Sequence, residues 1–297
     1  MKSFSQLTKE ELFKQENQHR CCDRAELAGM LLFGAALSER AVRFVTENQD
    51  VLGSFANLCR TMGMEAKAAQ SSENSARYVA EISDATAILQ LLYDLHLTDP
   101  SSGMIRYRIA KELTENDCCR RAFCKGAFLS GGTVIDPKKN YNMEFVTPYL
   151  GLGQDMQQLL YDIGFSFKMA GRQSKYVLYL KNSESISDFL SYIGAFKAQM
   201  ELLNIKIEKE IRNDFNRTAN SETANLEKTI NASVRQVRAI EEIQKTIGLD
   251  QLPEDLREIA RLRLAHKEMS LSELGALMNP PLTKSGVNHR LKKLMQL

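Results

Sequence analysis

The 297-residue chain lacks the long apolar segments that membrane proteins and exported proteins need. No run reaches the roughly 18 apolar residues of a membrane-spanning helix. The opening residues, MKSFSQLTKEELF, contain no apolar core of signal-peptide length. The sequence therefore predicts a cytoplasmic protein without membrane contact.

The chain also has little excess charge and few of the short motifs that hold metals or phosphates. Its formal net charge is +2, so affinity for nucleic acid must come from local clusters of lysine and arginine. Its six cysteines form no CxxC, and Ser130-Gly131-Gly132 lacks the flanking residues of a phosphate loop. In a chain without an export signal, the cysteines should be reduced thiols. No cofactor is predicted.

An internal repeat organises the first two thirds of the chain. Residues 21–37 read CCDRAELAGMLLFGAAL and residues 118–134 read CCRRAFCKGAFLSGGTV, with Cys, Cys, Arg, Ala, Gly, Leu and Gly at matching positions. The trio Phe-Val-Thr follows each copy, at 44–46 and 145–147. This sustained match indicates a duplicated unit.

Each copy has the same order of predicted elements. A helix after the double cysteine is followed by a strand, a helix that ends at Gly63 or Gly164, two more strands and a closing helix. We therefore predict an α+β fold, in which a duplicated α/β unit with pseudo-two-fold symmetry precedes an all-helical end. A lead-in covers residues 1–20. The two-repeat domain covers residues 21–196, with repeats at about 21–97 and 118–196.

The start of each repeat carries a recognisable motif. Leu27–Ala35, LAGMLLFGA, resembles the LAGLIDADG motif of homing endonucleases, and Cys124–Gly132, CKGAFLSGG, is a weaker second copy. The resemblance implies that the two motif helices pack together at the centre of a monomer. It also implies that two antiparallel sheets form a saddle over the major groove of DNA.

The acidic residues of that motif are missing. Family nucleases hold divalent cations with an acid at the eighth motif position, where this chain has Gly34 and Gly131. The acid at the sixth position is replaced by Leu32 and Leu129. The resemblance therefore implies a chain that is not an enzyme and has no catalytic residue. An active metal-dependent endonuclease is the alternative, because acids nearby in the sequence could replace the lost ones.

Basic residues in or beside the predicted saddle strands are candidate DNA contacts. They could bind phosphates, or the same surface could bind a protein. These candidates are Arg40, Arg43, Lys138, Lys139, Lys168, Arg172 and Lys175.

The pattern becomes helical in the region between the repeats and the end of the chain. Apolar residues recur at every fourth position up to Phe215, and a second stripe runs from Leu226 to Ile247. Small polar residues fill 216–225, NRTANSETAN. We interpret this run as a capped turn between two helices of a linker or hairpin over 197–248, with a direct DNA contact as the alternative.

Residues 249–297 contain signals for three short helices. Pro253 opens the first, and a capping box at Ser270–Glu273 opens the second, in which Leu274 and Leu277 should face the core. A pair of prolines ends the second helix. The pattern predicts a helix-turn-helix domain.

The third helix decides the function predicted for this end of the chain. Thr283 caps it, and Val287, Leu291 and Leu294 form its inward stripe. Its outer face is basic, and no acidic residue follows Thr283, as suits a recognition helix in the major groove of DNA. A solvated amphipathic helix is the alternative.

The candidate DNA-binding residues divide by their place on this helix. Residues in the first turns should contact bases, where Asn can pair with adenine and Lys with guanine, and later basic residues should contact phosphates. The base-contacting candidates are Lys284, Ser285, Asn288 and His289. The phosphate-contacting candidates are Arg290, Lys292 and Lys293, and Ser272 and Thr283 complete the helix-turn-helix set.

Two runs near the end of the chain, RNDFNRTANSETANLEKTINASVRQV and LTKSGVNHRLKKL, are similar to signatures of the WhiA family. The C-terminal domain of that family resembles region 4 of sigma factors. With the LAGLIDADG-like repeat, the resemblance covers nearly the whole chain. It implies a nucleoid-associated transcription regulator of bacterial cell division, chromosome segregation or sporulation. The implied partners are double-stranded DNA, a WhiB-like iron–sulfur protein in some relatives, and RNA polymerase.

A third function stays open beside the regulator and the endonuclease. The repeat would bring Cys21-Cys22 and Cys118-Cys119 to symmetric places near the helix starts, where four converging thiolates could bind zinc as a metal- or redox-responsive switch. Cysteines that pack as small apolar side chains would have no such role.

Overall fold

The computed structural model describes residues 2–70, 77–99 and 101–297. The chain divides into two compact units, residues 1–209 and residues 210–297. None of the helices in the described parts combines the length and the apolar character that crossing a membrane requires.

The first unit begins with a helix that the sequence pattern did not identify, α1 (Phe4–Phe13). A capping box starts it, because the Gln6 N–H donates to Ser3 Oγ at 3.2 Å and the Ser3 N–H donates to Gln6 Oε1 at 2.8 Å. The predicted lead-in over 1–20 therefore contains a capped helix. The three-residue spacing of Ser3 and Gln6, which is typical of a capping box, is the sequence signal that could have predicted this helix start.

The first repeat forms a four-stranded antiparallel sheet with helices packed on it. The elements are α2 (Arg20–Gly34), β1 (Ala35–Leu37), β2 (Val42–Thr46), α3 (Gln49–Thr61), β3 (Lys67–Gln70), β4 (Tyr78–Ile82) and α4 (Ala85–Asp94). The strand order is β1-β2-β4-β3. A positive φ of 78° at Gly63 makes the predicted turn after α3.

The second repeat has the same elements in the same order, which confirms the predicted duplication. The elements are α5 (Asp117–Gly131), β5 (Gly132–Val134), β6 (Met143–Thr147), α6 (Leu150–Asp162), β7 (Lys168–Arg172), β8 (Lys175–Leu180) and α7 (Ser183–Ile193). The order of strands in the sheet, β5-β6-β8-β7, matches that of the first repeat. The short edge strands β1 and β5 were not predicted, since three residues are too few to show an alternating pattern.

The motif helices α2 and α5 pack backbone to backbone at the centre of this unit. A methyl group added to Gly29 would lie 2.4 Å from the Phe123 carbonyl oxygen. One added to Gly126 would lie 2.0 Å from the Glu26 carbonyl oxygen. Side chains of ordinary size at these positions would force the helices apart, so the glycines determine how closely the two repeats approach.

An ion pair crosses the same contact. Lys125 Nζ lies 2.7 Å from Glu26 Oε2, and both side chains are buried. The Asn17 amide donates to the same carboxylate oxygen at 2.6 Å, and Lys125 also donates to the Gln15 carbonyl at 3.1 Å. Burial raises the pKa of Glu26, while the Lys125 ammonium and the Asn17 amide act against that shift. Removing either charge would leave the other one buried without a partner, which would destabilise the folded protein.

One prediction concerns the crossing glycines. Gly126→Ala should lower the free energy of unfolding by about 3 kcal/mol, because its methyl group would overlap a carbonyl oxygen that belongs to backbone. Gly53→Ala on α3 is the matched control, since nothing lies within 4 Å of the added methyl group. It should raise stability by about 0.5–1 kcal/mol. Equal effects in urea unfolding would contradict the close crossing.

A second prediction concerns the buried ion pair. Lys125→Met should lower the free energy of unfolding by about 3–5 kcal/mol at about pH 8, because Glu26 would be left buried and charged without its partner. The pKa of Glu26 in the folded state is already raised, and losing the lysine raises it further. A raised carboxyl pKa penalises folding as the pH rises, so the loss should be smaller at about pH 5. Adding Glu26→Gln should recover part of it, and a pH-independent loss would contradict the pairing.

A single helix, α8 (Phe196–Thr246), replaces the predicted pair of helices. The predicted turn over 216–225 is wrong, because the helix continues through it. The run contains no glycine or proline that would break the helix. Its Ser, Thr and Asn residues can cap a helix, but they do not end one whose backbone hydrogen bonds continue through them. Residues 211–218 and 220–231 of α8 are exposed. The border between the two units, after Lys209, falls within this helix.

The second unit is helical, as predicted. The last part of α8 packs with α9 (Glu254–Ala265), α10 (Leu271–Ala276) and α11 (Lys284–Leu294). The prediction that Leu277 faces the core is wrong, since it is 48% exposed and Met278 is buried instead. The reason is that α10 ends at Ala276, so the chain turns before Leu277 can complete the helical face.

Candidate nucleic-acid interface

Two side-chain caps determine where α10 and α11 begin. The Glu273 N–H donates to Ser270 Oγ at 3.3 Å and the Ser270 N–H donates to Glu273 Oε2 at 2.7 Å, which confirms the predicted capping box. The Gly286 N–H donates to Thr283 Oγ1 at 3.3 Å, so Thr283 caps α11 as predicted. These bonds satisfy N–H groups that a helix start leaves without partners.

The segment between α10 and α11 lies tightly against α10. The Leu282 N–H donates to the Gly275 carbonyl at 2.9 Å. A methyl group on Gly275 would lie 2.2 Å from the Leu282 carbonyl oxygen and 3.1 Å from Val287 Cγ2. Because no other residue fits this space, Gly275 determines how closely α11 approaches α10.

A buried arginine, which the sequence pattern did not identify, organises the loop before α10. Arg263 is 2% exposed, and its Nη1 donates to the carbonyl oxygens of Met269 at 2.7 Å and Lys267 at 3.4 Å. These bonds offset the cost of burying the guanidinium. Its helical spacing from Leu256 and Ile259 is the signal that could have identified it as a charge on the inward face.

The face of α11 that points away from the core carries most of the predicted contact residues. The predicted inward stripe is confirmed, because Val287, Leu291 and Leu294 are buried. Helical spacing places Ser285, His289, Lys292 and Lys293 on the opposite half of the cylinder, and all four are exposed. Asn288 lies at the edge of that half and is half-buried, and Lys284 is exposed on the same flank, one turn before it.

Arg290 lies apart from that face. Its side chain is 26% exposed, and its Nε lies 3.7 Å from Asp255 Oδ2 on α9. A partly exposed pair at this distance contributes little stability, but it directs the guanidinium toward α9. Ser272 is exposed on α10. The structure therefore groups Lys292 and Lys293 with the first-turn residues and separates Arg290 from them.

The predicted saddle residues are exposed but spread over both sheets. Arg43 on β2 is the cross-strand partner of Glu81 on β4, which also lies opposite Lys67 on β3. In the second sheet, Glu144 on β6 occupies the place of Arg43 and pairs with Tyr179. Arg40 lies between β1 and β2, Lys138 and Lys139 lie between β5 and β6, Lys168 starts β7, and Arg172 pairs with Lys175 at the β7–β8 turn.

Gly34 and Gly131 end the motif helices α2 and α5. A methyl group on Gly34 would lie 2.6 Å from Ser130 Cβ, and one on Gly131 would lie 2.9 Å from the Phe33 carbonyl oxygen. The metal sites of LAGLIDADG nucleases need carboxylates at both positions. The residues here do not fit such a site, because they supply no ligand and leave no room for one.

Acids nearby in the sequence do not replace the missing ligands. Glu39 is exposed between β1 and β2. Asp136 accepts the Lys138 N–H at 2.9 Å in the turn after β5. Within residues 2–70, 77–99 and 101–297, no three carboxylates or histidines come together at ligand distance.

Both units of the chain match known protein families. Residues 215–297 match the WhiA C-terminal HTH domain, and residues 27–113 and 120–212 match the WhiA LAGLIDADG-like domain. The chain belongs to the WhiA family. The match confirms the resemblance drawn from the sequence and the fold class of a duplicated LAGLIDADG-like domain followed by a helix-turn-helix domain.

WhiA relatives match over almost their whole length. A protein of Caldicellulosiruptor saccharolyticus named "Probable cell division protein WhiA" is 42% identical, over 98% of this chain and 93% of its own. A protein of Alkaliphilus metalliredigens with the same name is 39% identical, over 99% and 97%. The chain therefore aligns with these relatives across both of its domains.

Solved WhiA structures share the architecture. The crystal structure of full-length DUF199/WhiA from Thermotoga maritima covers 99% of this chain and 97% of its own, with a TM-score of 0.64 and 27% identity. The crystal structure of the N-terminal LAGLIDADG domain of DUF199/WhiA covers 65% of this chain and 91% of its own, with a TM-score of 0.53 and 19% identity. The second match supports the fold of the repeat domain alone.

A third prediction concerns the lost acid positions. Restoring both acids with Gly34→Asp and Gly131→Asp should lower the free energy of unfolding by about 1–3 kcal/mol for each site, because the added side chains overlap Ser130 and Phe33. No cleavage of duplex DNA in magnesium should appear. Thermal unfolding and plasmid cleavage assays measure the two effects. A variant that cuts DNA at an unchanged unfolding temperature would show that the helix ends can accept the acids.

Proposed function

We propose that this WhiA-family chain binds double-stranded DNA sequence-specifically through α11 and regulates transcription. The observation that carries the proposal is the division of α11 into a fully buried apolar stripe and an outer face with no acidic residue. The caps at Ser270 and Thr283 support it, because they fix the start of each helix of the motif. Recognition of bases requires that the contacting side chains be held in a fixed position, which a rigid helix provides.

The order of residues along α11 suggests a division of work. A recognition helix presents its first turns to base edges. Lys284 and Asn288 lie one turn apart on the flank that borders the outer face, and Ser285 and His289 lie beside them on that face. Lysine suits the acceptors of guanine, and asparagine suits the paired groups of adenine. Lys292 and Lys293, one to two turns later, suit phosphates.

We extend the proposal to the biological role from the names of the relatives. Proteins named for cell division match this chain over nearly its whole length. We propose that the regulated genes act in bacterial cell division, chromosome segregation or sporulation, and that the protein works in the cytoplasm at the nucleoid. RNA polymerase and, in some lineages, a WhiB-like protein are the proposed protein partners, and the protein is proposed to be a monomer.

We also propose that the chain has no nuclease activity. The glycines at both acid positions and the absence of room for side chains there support this. Incubating the protein with magnesium and a plasmid that contains its binding site tests the proposal directly. Specific double-strand cuts would overturn it.

The outer faces of the two sheets are proposed as a secondary surface. Exposed basic residues on both sheets favour a contact with phosphates, whereas Glu81 beside Arg43 and Glu144 at the matching position weaken it. Arg172 and Lys175 lie opposite each other at the β7–β8 turn and form one pair of neighbouring basic residues there. A partner protein is the alternative occupant of this surface.

A fourth prediction tests the role of α11. With a duplex selected from random sequences by the full chain, Lys284→Ala or Asn288→Ala should reduce discrimination against mismatched sites by about 1–3 kcal/mol. Lys292→Ala or Lys293→Ala should weaken binding to all sequences and reduce the salt dependence by about one unit each. Gel-shift titrations at several salt concentrations measure both quantities. Arg290→Ala should have a smaller effect, because Asp255 already holds its guanidinium.

Lys245→Ala on α8 is the matched control, since it removes one exposed positive charge from the same unit. It should leave both affinity and discrimination unchanged. If the four α11 variants behaved alike, the division between base and phosphate contacts would be wrong. If none of them differed from the Lys245 control, α11 would not be the DNA-binding helix.

A further inference from the structure

Two pairs of adjacent cysteines meet where the motif helices begin. Cys21 and Cys22 are the second and third residues of α2, and Cys118 and Cys119 hold the same places in α5. The four Sγ atoms all lie within 4.8 Å of one another. We propose that this cysteine cluster binds one zinc ion through four thiolates, two from each repeat.

The spacing of the sulfurs fits a single tetrahedral ion. Four sulfurs at about 2.3 Å from zinc lie about 3.8 Å from one another. The Sγ atoms of Cys118 and Cys119 are 3.9 Å apart, so small side-chain rotations suffice. An iron–sulfur cluster holds at least some of its four thiolates farther apart, because they are divided over more than one iron. All four cysteines are free thiols, and the soft donor set selects zinc over magnesium or calcium.

The helix starts around the cluster favour the negative charge that four thiolates bring. The starts of α2 and α5 both lie at the cysteine cluster, and the start of a helix carries partial positive charge. The N-cap residues His19 and Asn116 make no side-chain cap bond to these helices. The N–H groups at these two helix starts are therefore not occupied by their N-cap side chains.

The burial of the cluster suits an ion that enters from solvent and is then held. Cys22 and Cys119 are buried and form the inner side of the site, whereas Cys21 and Cys118 are exposed. A cleft of about 350 Å³, whose lining includes His19, Cys22 and Cys118, opens beside the sulfurs. A bound ion would join the two repeats at the ends of α2 and α5 opposite the closed acid positions.

Metal analysis and cobalt spectroscopy of the full-length protein test the proposal. Protein purified without chelators should contain one zinc per chain and no iron. After the zinc is stripped under reducing conditions, added Co²⁺ should produce the charge-transfer and d–d absorption of a tetrahedral thiolate site. The thermal unfolding temperature should be several degrees higher with zinc than without it. Zinc-free protein that gives no cobalt spectrum, or a cluster that contains iron, would overturn the proposal.

Exposed ligands provide variants that should still fold. Cys21→Ser and Cys118→Ser should each lower zinc affinity at least about tenfold, since even residues outside the ligand set can cost that much. The control is Cys59→Ala, which removes a buried cysteine outside the cluster and should keep one zinc per chain. A chelator competition titration measures the affinities. Unchanged zinc affinity in both serine variants would reject the site. A disulfide between cluster cysteines in protein kept under reducing conditions would reject it too.

Discussion

The close crossing of α2 and α5 at Gly29 and Gly126 is the constraint on which the rest of the repeat domain depends. The helices touch through backbone atoms, so their separation leaves no space for larger residues. At one end, this contact brings four cysteines within 4.8 Å of one another. At the other, it closes the two positions where related nucleases carry metal ligands. The same close helix crossing therefore brings the proposed zinc ligands together and leaves no room for the carboxylate ligands of a nuclease.

The parts of the fold that local chemistry specifies could be predicted from the sequence. The duplicated motifs predicted the repeat. The capping residues Ser270 and Thr283 predicted where α10 and α11 begin, because hydrogen bonds between residues close in sequence determine a helix start. The buried stripe of α11 followed from helical spacing. The candidate DNA contacts follow from the same spacing, which is why most of them lie on one face, and only Arg290 is separated by a contact with Asp255.

The parts that depend on contacts distant in the sequence could not be predicted in the same way. A polar run can be a turn or an exposed stretch of helix, and α8 is continuous because nothing in 216–225 breaks its hydrogen bonds. Leu277 fits the inward pattern but lies just beyond the last turn of α10. The repeat predicted symmetric places for the two cysteine pairs, but whether the pairs meet depends on how two helices about a hundred residues apart cross, which no spacing within either helix encodes.

The two repeats share a backbone plan, but their outer surfaces have diverged. Arg43 on the first sheet corresponds to Glu144 on the second, and Glu81 corresponds to Tyr179. A ligand with two identical halves would thus meet a positive charge at Arg43 and a negative charge at the equivalent Glu144. The doubled domain is therefore suited to a partner whose two halves differ in charge.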